Sequence, residues 1–347
     1  MLKNSTLSTW TLLGAVWLAC NCGVIRAQDR VYPKQGVPAS GKISKITPTE
    51  VIITVRGKDQ NYAMTDVRKV TFDSEPNTLD RVREQMLLGQ YEQALEEVKK
   101  ISPAGIENPL AVQDVEFYRW YGEGKLALAG KGDKNAAIAG LLALAGKNRN
   151  THHLYSLSEM LGELSLAVGQ PDKATNFFNI LLKAPSAESK ATALYQLGQV
   201  ELSQGKTAEA KERFTQLAAA PSNSPEMIRI KNFAAVGLAV CENLEGNPQA
   251  ALDSLNALIQ KNDSTDQVLF ARINNAKGAC HQALNQPQSA LLRYLQTDLL
   301  FFTSAESHAE ALYQLSVLWP AVGDPARGAE AKSRLVQQYA SSSWANK

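Results

Sequence analysis

Cysteine, histidine and long apolar runs are scarce in this chain, and it has no excess of either charge. There are four cysteines and four histidines in 347 residues, with 36 basic side chains against 34 acidic ones. Near-neutrality removes the electrostatic footprint that a nucleic-acid binder needs. Past the first 27 residues no apolar stretch is long and uncharged enough to enter a membrane. The histidines are His152, His153, His281 and His308. The adjacent pair His152-His153 is expected to open a helix, where neighbours point about 100° apart, and so not to clamp one metal ion. No Walker-like, dinucleotide or hydrolase pattern occurs. Gly122-Glu-Gly124 and Gly130-Lys-Gly-Asp-Lys134 read as helix-terminal punctuation rather than phosphate cradles. Neither a catalytic centre nor a cofactor is expected.

Residues 1–27 have the order of a secretory signal. Lys3 supplies the positive start, Trp10 to Cys20 the apolar run, and Ile25-Arg26-Ala27 a cleavage site before Gln28. A second reading takes Leu18-Ala19-Cys20 as a loose lipoprotein box with a lipid anchor on Cys20, although Trp17 stands where that box wants Leu. With Lys3 and Arg26 removed, 34 basic residues face 34 acidic ones. An exported protein, periplasmic or extracellular, is the expectation. Cys241 and Cys280 remain, each five residues before a turn residue. A bridge between them is conceivable in an oxidising compartment. Packed helix axes lie about 8–10 Å apart, however, while bridged Cα atoms come within about 7 Å, which favours two small buried packing residues.

What the chain does have is a recurring turn. Gly169-Gln170-Pro171, Gly246-Asn247-Pro248, Asn285-Gln286-Pro287 and Gly323-Asp324-Pro325 each divide two apolar, helix-like stretches, and Gly89, Gly132 and Gly205 fall at equivalent junctions. From Gly132 onward the steps are 37, 36, 41, 39 and 38 residues. Gly or Asn can end one helix in the left-handed conformation, and Pro can open the next at its first position. A period in this range means stacked helical hairpins. The expected pairs are 78–88 with 91–101, 111–130 with 134–146, 151–168 with 171–183, 187–204 with 207–219, 226–245 with 248–260, 266–284 with 287–301, and 306–321 with 325–340.

Ahead of them, residues 41–72 are rich in β-branched residues with partial alternation and read as four or five short strands. Three parts follow: a signal at 1–27, a small antiparallel β-barrel-like unit at 28–75, and a helical-repeat domain at 76–347. The β unit is similar in shape to Sm-like or SH3-like barrels. Being small, it should lean on the first helices.

Leu88-Gly-Gln-Tyr-Glu-Gln-Ala-Leu95 resembles the middle of a tetratricopeptide repeat. The same order of small residue, turn, small residue and aromatic recurs in Gly162, Gly169, Ala174 and Phe178, in Gly198, Gly205, Ala210 and Phe214, and in Gly278, Asn285, Ala290 and Tyr294. The resemblance implies a mainly α protein, a right-handed solenoid of about seven helix pairs, whose first helices line an inner groove that binds a protein or peptide. By register that groove would present Glu159, Glu163, Tyr195, Gln199, Arg272, Asn275, Gln282 and Tyr313. Glu159 and Glu163, four residues apart on one face, suit a partner-facing stripe better than acid–base chemistry. For Tyr195 and Tyr313, both within Ala-Leu-Tyr-Gln-Leu, the competing expectation is packing between helices. The functional expectation is a non-enzymatic exported scaffold or adaptor. The alternatives are an envelope structural factor docking through its β unit, or an accessory subunit of an enzyme complex.

Overall fold

A computed structural model describes residues 28–221 and 224–347; the expectations for the signal segment and Cys20 lie outside the described residues. The chain begins with β1 (Asp29–Pro33), β2 (Ala39–Ile46), β3 (Glu50–Val55), β4 (Lys58–Ala63) and β5 (Val67–Thr71). They form one antiparallel sheet in the order β4-β3-β2-β1-β5. Arg56 and Gly57, both at positive φ, make the two-residue turn that pairs Val55 with Lys58. The register of β2 against β3 shifts between Ile43 and Lys45, a bulge that bends the strand so that it serves β1 at one end and β3 at the other. The barrel-like unit is thus a bent five-stranded sheet. Its end strands, β4 and β5, are linked by a single 3-10 turn at Met64–Asp66.

The sheet has no separate core. Val31, Val51, Ile53, Val70 and Phe72 pack in one cluster with Leu79, Val82, Leu95 and Val115 from the helices that follow. This is the expected solution for a unit too small to bury its own apolar face.

Fourteen helices are seen among the described residues. The first three pairs are α1 (Asn77–Leu87) with α2 (Tyr91–Val98), α3 (Pro109–Leu128) with α4 (Lys134–Lys147), and α5 (Leu154–Ala167) with α6 (Pro171–Leu181). Next come α7 (Ala187–Ser203) with α8 (Thr207–Ala218) and α9 (Pro225–Leu244) with α10 (Pro248–Gln260). The last are α11 (Gln267–Ala283) with α12 (Pro287–Leu300) and α13 (Ala305–Ala321) with α14 (Pro325–Tyr339).

Every hairpin closes in the same way. At Gly169 (φ 73°) the Gly169 N–H donates to Leu166 and the Gln170 N–H to Ser165, satisfying carbonyls that the helix end leaves open. Asn285 repeats the pattern at φ 58°. One junction is corrected. The left-handed residue between α3 and α4 is Gly130 (φ 84°), not Gly132, because Asp133 caps α4 through the amides of Asn135 and Ala136.

Between the helices of several pairs a glycine faces a ring. A Cβ on Gly198 would come within 2.5 Å of the Phe214 ring, and Phe214 is fully buried. Gly278 stands in the same relation to Tyr294, at 2.6 Å. Close approach, rather than turn geometry, requires glycine here. Cys241 and Cys280 are free, buried thiols, each pushed up to about 11 by burial.

First helices touch the first helices of neighbouring pairs: α3 meets α5, α5 meets α7, α7 meets α9, α9 meets α11, and α11 meets α13. This crowding puts them on the inside of the curve. The C-terminal end then returns to the second pair. Lys134 Nζ, at the start of α4, donates to the carbonyl and the hydroxyl oxygen of Ser341 at 3.0 Å each, and Gly130 lies against Tyr339. No helix among the described residues is long and apolar enough to cross a membrane.

Candidate functional site on the inner face of the repeats

Along the inner face, one-repeat steps in sequence become side-chain contacts. Lys125 on α3 donates to Glu163 on α5 at 3.2 Å, and Gln196 on α7 reaches the other oxygen of Glu163 at 3.3 Å. Burial alone would lower the Lys125 amine, but Glu163 and Glu159 outweigh it and the pKa rises. Glu159, one turn before Glu163, is pushed up to about 7, first by burial and then by the charge of Glu163. Tyr121 beside them is pushed up to about 12 by burial. Acidic pressure here exceeds what one lysine offsets, so Glu159 takes up a proton near neutral pH.

The middle of the face is closed by the protein itself. Tyr195 (α7), Phe233 (α9) and Arg272 (α11) converge, with the guanidinium 5.5 Å from the Tyr195 ring centre and 5.2 Å from that of Phe233. Arg272 Nη1 also donates to the Tyr195 hydroxyl. Tyr195 is 5% exposed and packs in the same core cluster as Phe214. It is therefore an interhelical packing residue, the second of the two roles expected for it. Gln199 lies one turn further along α7 on the same stripe and is half-buried.

Toward the C-terminus, Asn275 is buried and wholly engaged. Its amide donates to Ser307 O and to Glu310 Oε2, both at 2.8 Å, and its carbonyl accepts from Thr297 Oγ1 at 2.8 Å. Both amide protons are engaged and the side chain is buried, so it serves to lock α11, α12 and α13. Gln282 is similarly occupied, accepting from the Tyr294 hydroxyl at 2.9 Å and donating to Gln314 at 3.2 Å. Glu310, which sequence reasoning missed, is pushed up to about 7, chiefly by burial. It sits three residues before Tyr313 on α13, and that spacing was the signal available. Tyr313 is half-buried, 5.5 Å from the Trp344 ring, with the Lys332 and Lys347 amines each 5.8 Å from its own ring centre.

Six of the eight expected residues thus fall into three pairs, with Gln199 and Tyr313 outside them. Glu159 and Glu163 share one acidic patch, Tyr195 and Arg272 one aromatic–cation contact, and Asn275 and Gln282 separate interhelical networks. Of the eight, Glu159, Glu163, Gln199, Arg272, Gln282 and Tyr313 keep partial exposure, while Tyr195 and Asn275 are buried.

A second polar constellation lies at the joint between sheet and helices. Arg83 on α1 is 1% exposed and holds Glu75 with two bonds (2.6 and 2.7 Å) and Asp114 Oδ2 with two more (3.0 and 2.8 Å). The other oxygen of Asp114, on α3, lies 3.1 Å from His152 Nε2 and 2.7 Å from His153 Nε2. The histidine expectation is corrected here. Helix α5 starts at Leu154, so both histidines precede it in a turn, where the helical divergence of neighbours does not apply. Burial would raise the Asp114 carboxyl, but Arg83 and the histidines outweigh it and hold it well below the usual range. Burial, then His152, lowers His153 to about 4. Residue 114 and the histidines stand one repeat apart at the same end of successive first helices, the only sequence clue to their meeting.

No protein-family model matches the chain, and no curated protein matches it significantly. Solved structures do. A tetratricopeptide repeat protein from Parabacteroides merdae ATCC 43184 aligns with 76% of this chain and 92% of its own length, at 17% identity and a TM-score of 0.53. A Rap protein complexed with Competence and Sporulation Factor aligns with 77% of this chain and 76% of its own, at 14% identity and a TM-score of 0.54. At such identities the likeness is one of fold: this chain carries tetratricopeptide-like helical repeats.

Proposed function

We propose that this chain is an exported, non-enzymatic scaffold that binds a protein or peptide segment along the inner face of its helical repeats. The observation that carries the reading is the stripe of half-buried polar and aromatic side chains on first helices, Glu159, Gln199, Arg272 and Tyr313, in a fold whose C-terminal segment returns to the start of α4. Side chains already held by neighbours lose little freedom on binding, and aromatic and Arg groups are enriched at interface hot spots. One similar fold was solved with a bound factor, which accords with this use of the architecture. Export rests on the order of charges and apolar residues in 1–27.

The test is co-purification of partners with the protein expressed in its own compartment. Gln199→Arg and Tyr313→Ala should lose a partner that the native chain retains while melting nearly unchanged. Asn179→Arg, on the exposed side of α6, should retain it. Equal retention by all three variants would remove the inner face as the binding surface. Mass measurement of the mature N-terminus tests export separately: a species that keeps Met1 and stays in the cytosol would contradict it.

A further inference from the structure

We propose that Asp114, His152 and His153 form a binding site for one divalent transition-metal ion, zinc by its ligand chemistry, which ties α3 to the turn before α5 beside the end of the sheet. The potential ligand atoms of the three side chains all lie within 4.8 Å of one another. Their side chains are 2%, 7% and 9% exposed, so a ligand set of two imidazoles and a carboxylate is enclosed rather than spread over a surface. Zinc holds such donors at about 2.0–2.2 Å, which places tetrahedral ligand atoms roughly 3.3 Å apart. The carboxylate-to-imidazole separations of 3.1 and 2.7 Å must widen by roughly 0.2 and 0.6 Å for the ion to enter.

The carboxylate ligand has outer support, whereas His152 Nδ1 is buried without a hydrogen-bond partner. Asp114 Oδ2 is fixed by Arg83, which is fixed in turn by Glu75, leaving Oδ1 as the oxygen aimed at both rings. Outer partners of this kind orient a ligating carboxylate. Charge points the same way. One guanidinium faces two carboxylates, so with neutral imidazoles the cluster carries a net buried negative charge that a cation would offset. His153 stacks on Phe117 at 3.7 Å and His152 meets Phe72 edge-on at 6.1 Å, so aromatic walls from α3 and the end of the sheet hold both rings. With three enclosed ligands, a tetrahedral ion needs one more donor, a water. A six-coordinate ion needs three, and the packed rings leave little space for them. Four segments meet at this point: the end of the sheet, α1, α3 and the turn before α5.

The test uses the full mature chain stripped with a chelator and titrated with zinc chloride alone. Calorimetry and elemental analysis should give one ion per chain, with a higher melting temperature on loading and a return to the stripped value on chelation. Cobalt(II) in place of zinc should give the visible absorption of a tetrahedral site. His152→Gln and His153→Gln leave the Arg83 pairs intact and should still fold. Each should weaken zinc binding by at least about 100-fold, since loss of an outer partner alone costs about 10–100-fold. No uptake by the native chain, or equal uptake by the double variant, would overturn the site and leave a hydrogen-bonded lock only.

Discussion

At the scale of single residues, the inner face and the joint respond differently to change. Glu159 and Glu310 hold protons to about pH 7, against an ordinary value of 4.5 for glutamate in the unfolded chain. A raised carboxyl pKa contributes stability that is full below the unfolded value and is lost as pH rises through the folded one. Melting temperature should therefore carry a downward contribution between about pH 4.5 and 7, and Glu159→Gln should flatten that slope. A pH series of thermal melts on both proteins checks this, and an unchanged slope would contradict it. At the joint, Arg83→Met strands two buried carboxylates and should destabilise the fold by about 3–5 kcal/mol, read from denaturant midpoints. Tyr195→Ala should cost a similar amount, about 3–5 kcal/mol, because its ring fills the core between α7 and α9. Register placed Tyr195 correctly on a first helix. It could not distinguish groove from core, because that depends on how closely three first helices converge.

Elements were legible wherever their signals are local. The turn residues, the prolines and the small-then-aromatic spacing located all fourteen helices to within a few residues, since capping and close packing act over a single hairpin. The misplaced junction at Gly132 came from a loop with two glycines, where the Asp133 cap decides which one turns. The Arg83–Asp114–His152–His153 cluster was illegible because its members meet only after two repeats and the sheet have packed. Spacing within one segment says nothing of that. The packing rule itself can be measured. Gly198→Ala drives a methyl into the Phe214 ring and should cost about 1–3 kcal/mol. Gly146→Ala, on α4 with open space around it, should instead stabilise by about 0.5–1 kcal/mol. Similar melting of the two variants would mean that ring-against-glycine contact does not set the distance between paired helices.

For the whole molecule, the decisive feature is that the C-terminal segment returns to the start of α4, where Lys134 meets Ser341. The same segment sets Trp344 and Lys347 beside Tyr313 of the inner face. Removing residues 341–347 takes away both oxygen acceptors of Lys134, and small-angle scattering should then show a larger radius of gyration. An unchanged radius would mean that the ends are held by other contacts. The central claim is that partners are received on the inner face. Its most direct test is a photo-crosslinking amino acid placed at Gln199 on the inner side of α7 or at Asn179 on the exposed side of α6, in otherwise native protein in its own compartment. The account expects a discrete crosslinked partner from position 199 and none from position 179. Capture from 179 with none from 199 would contradict it.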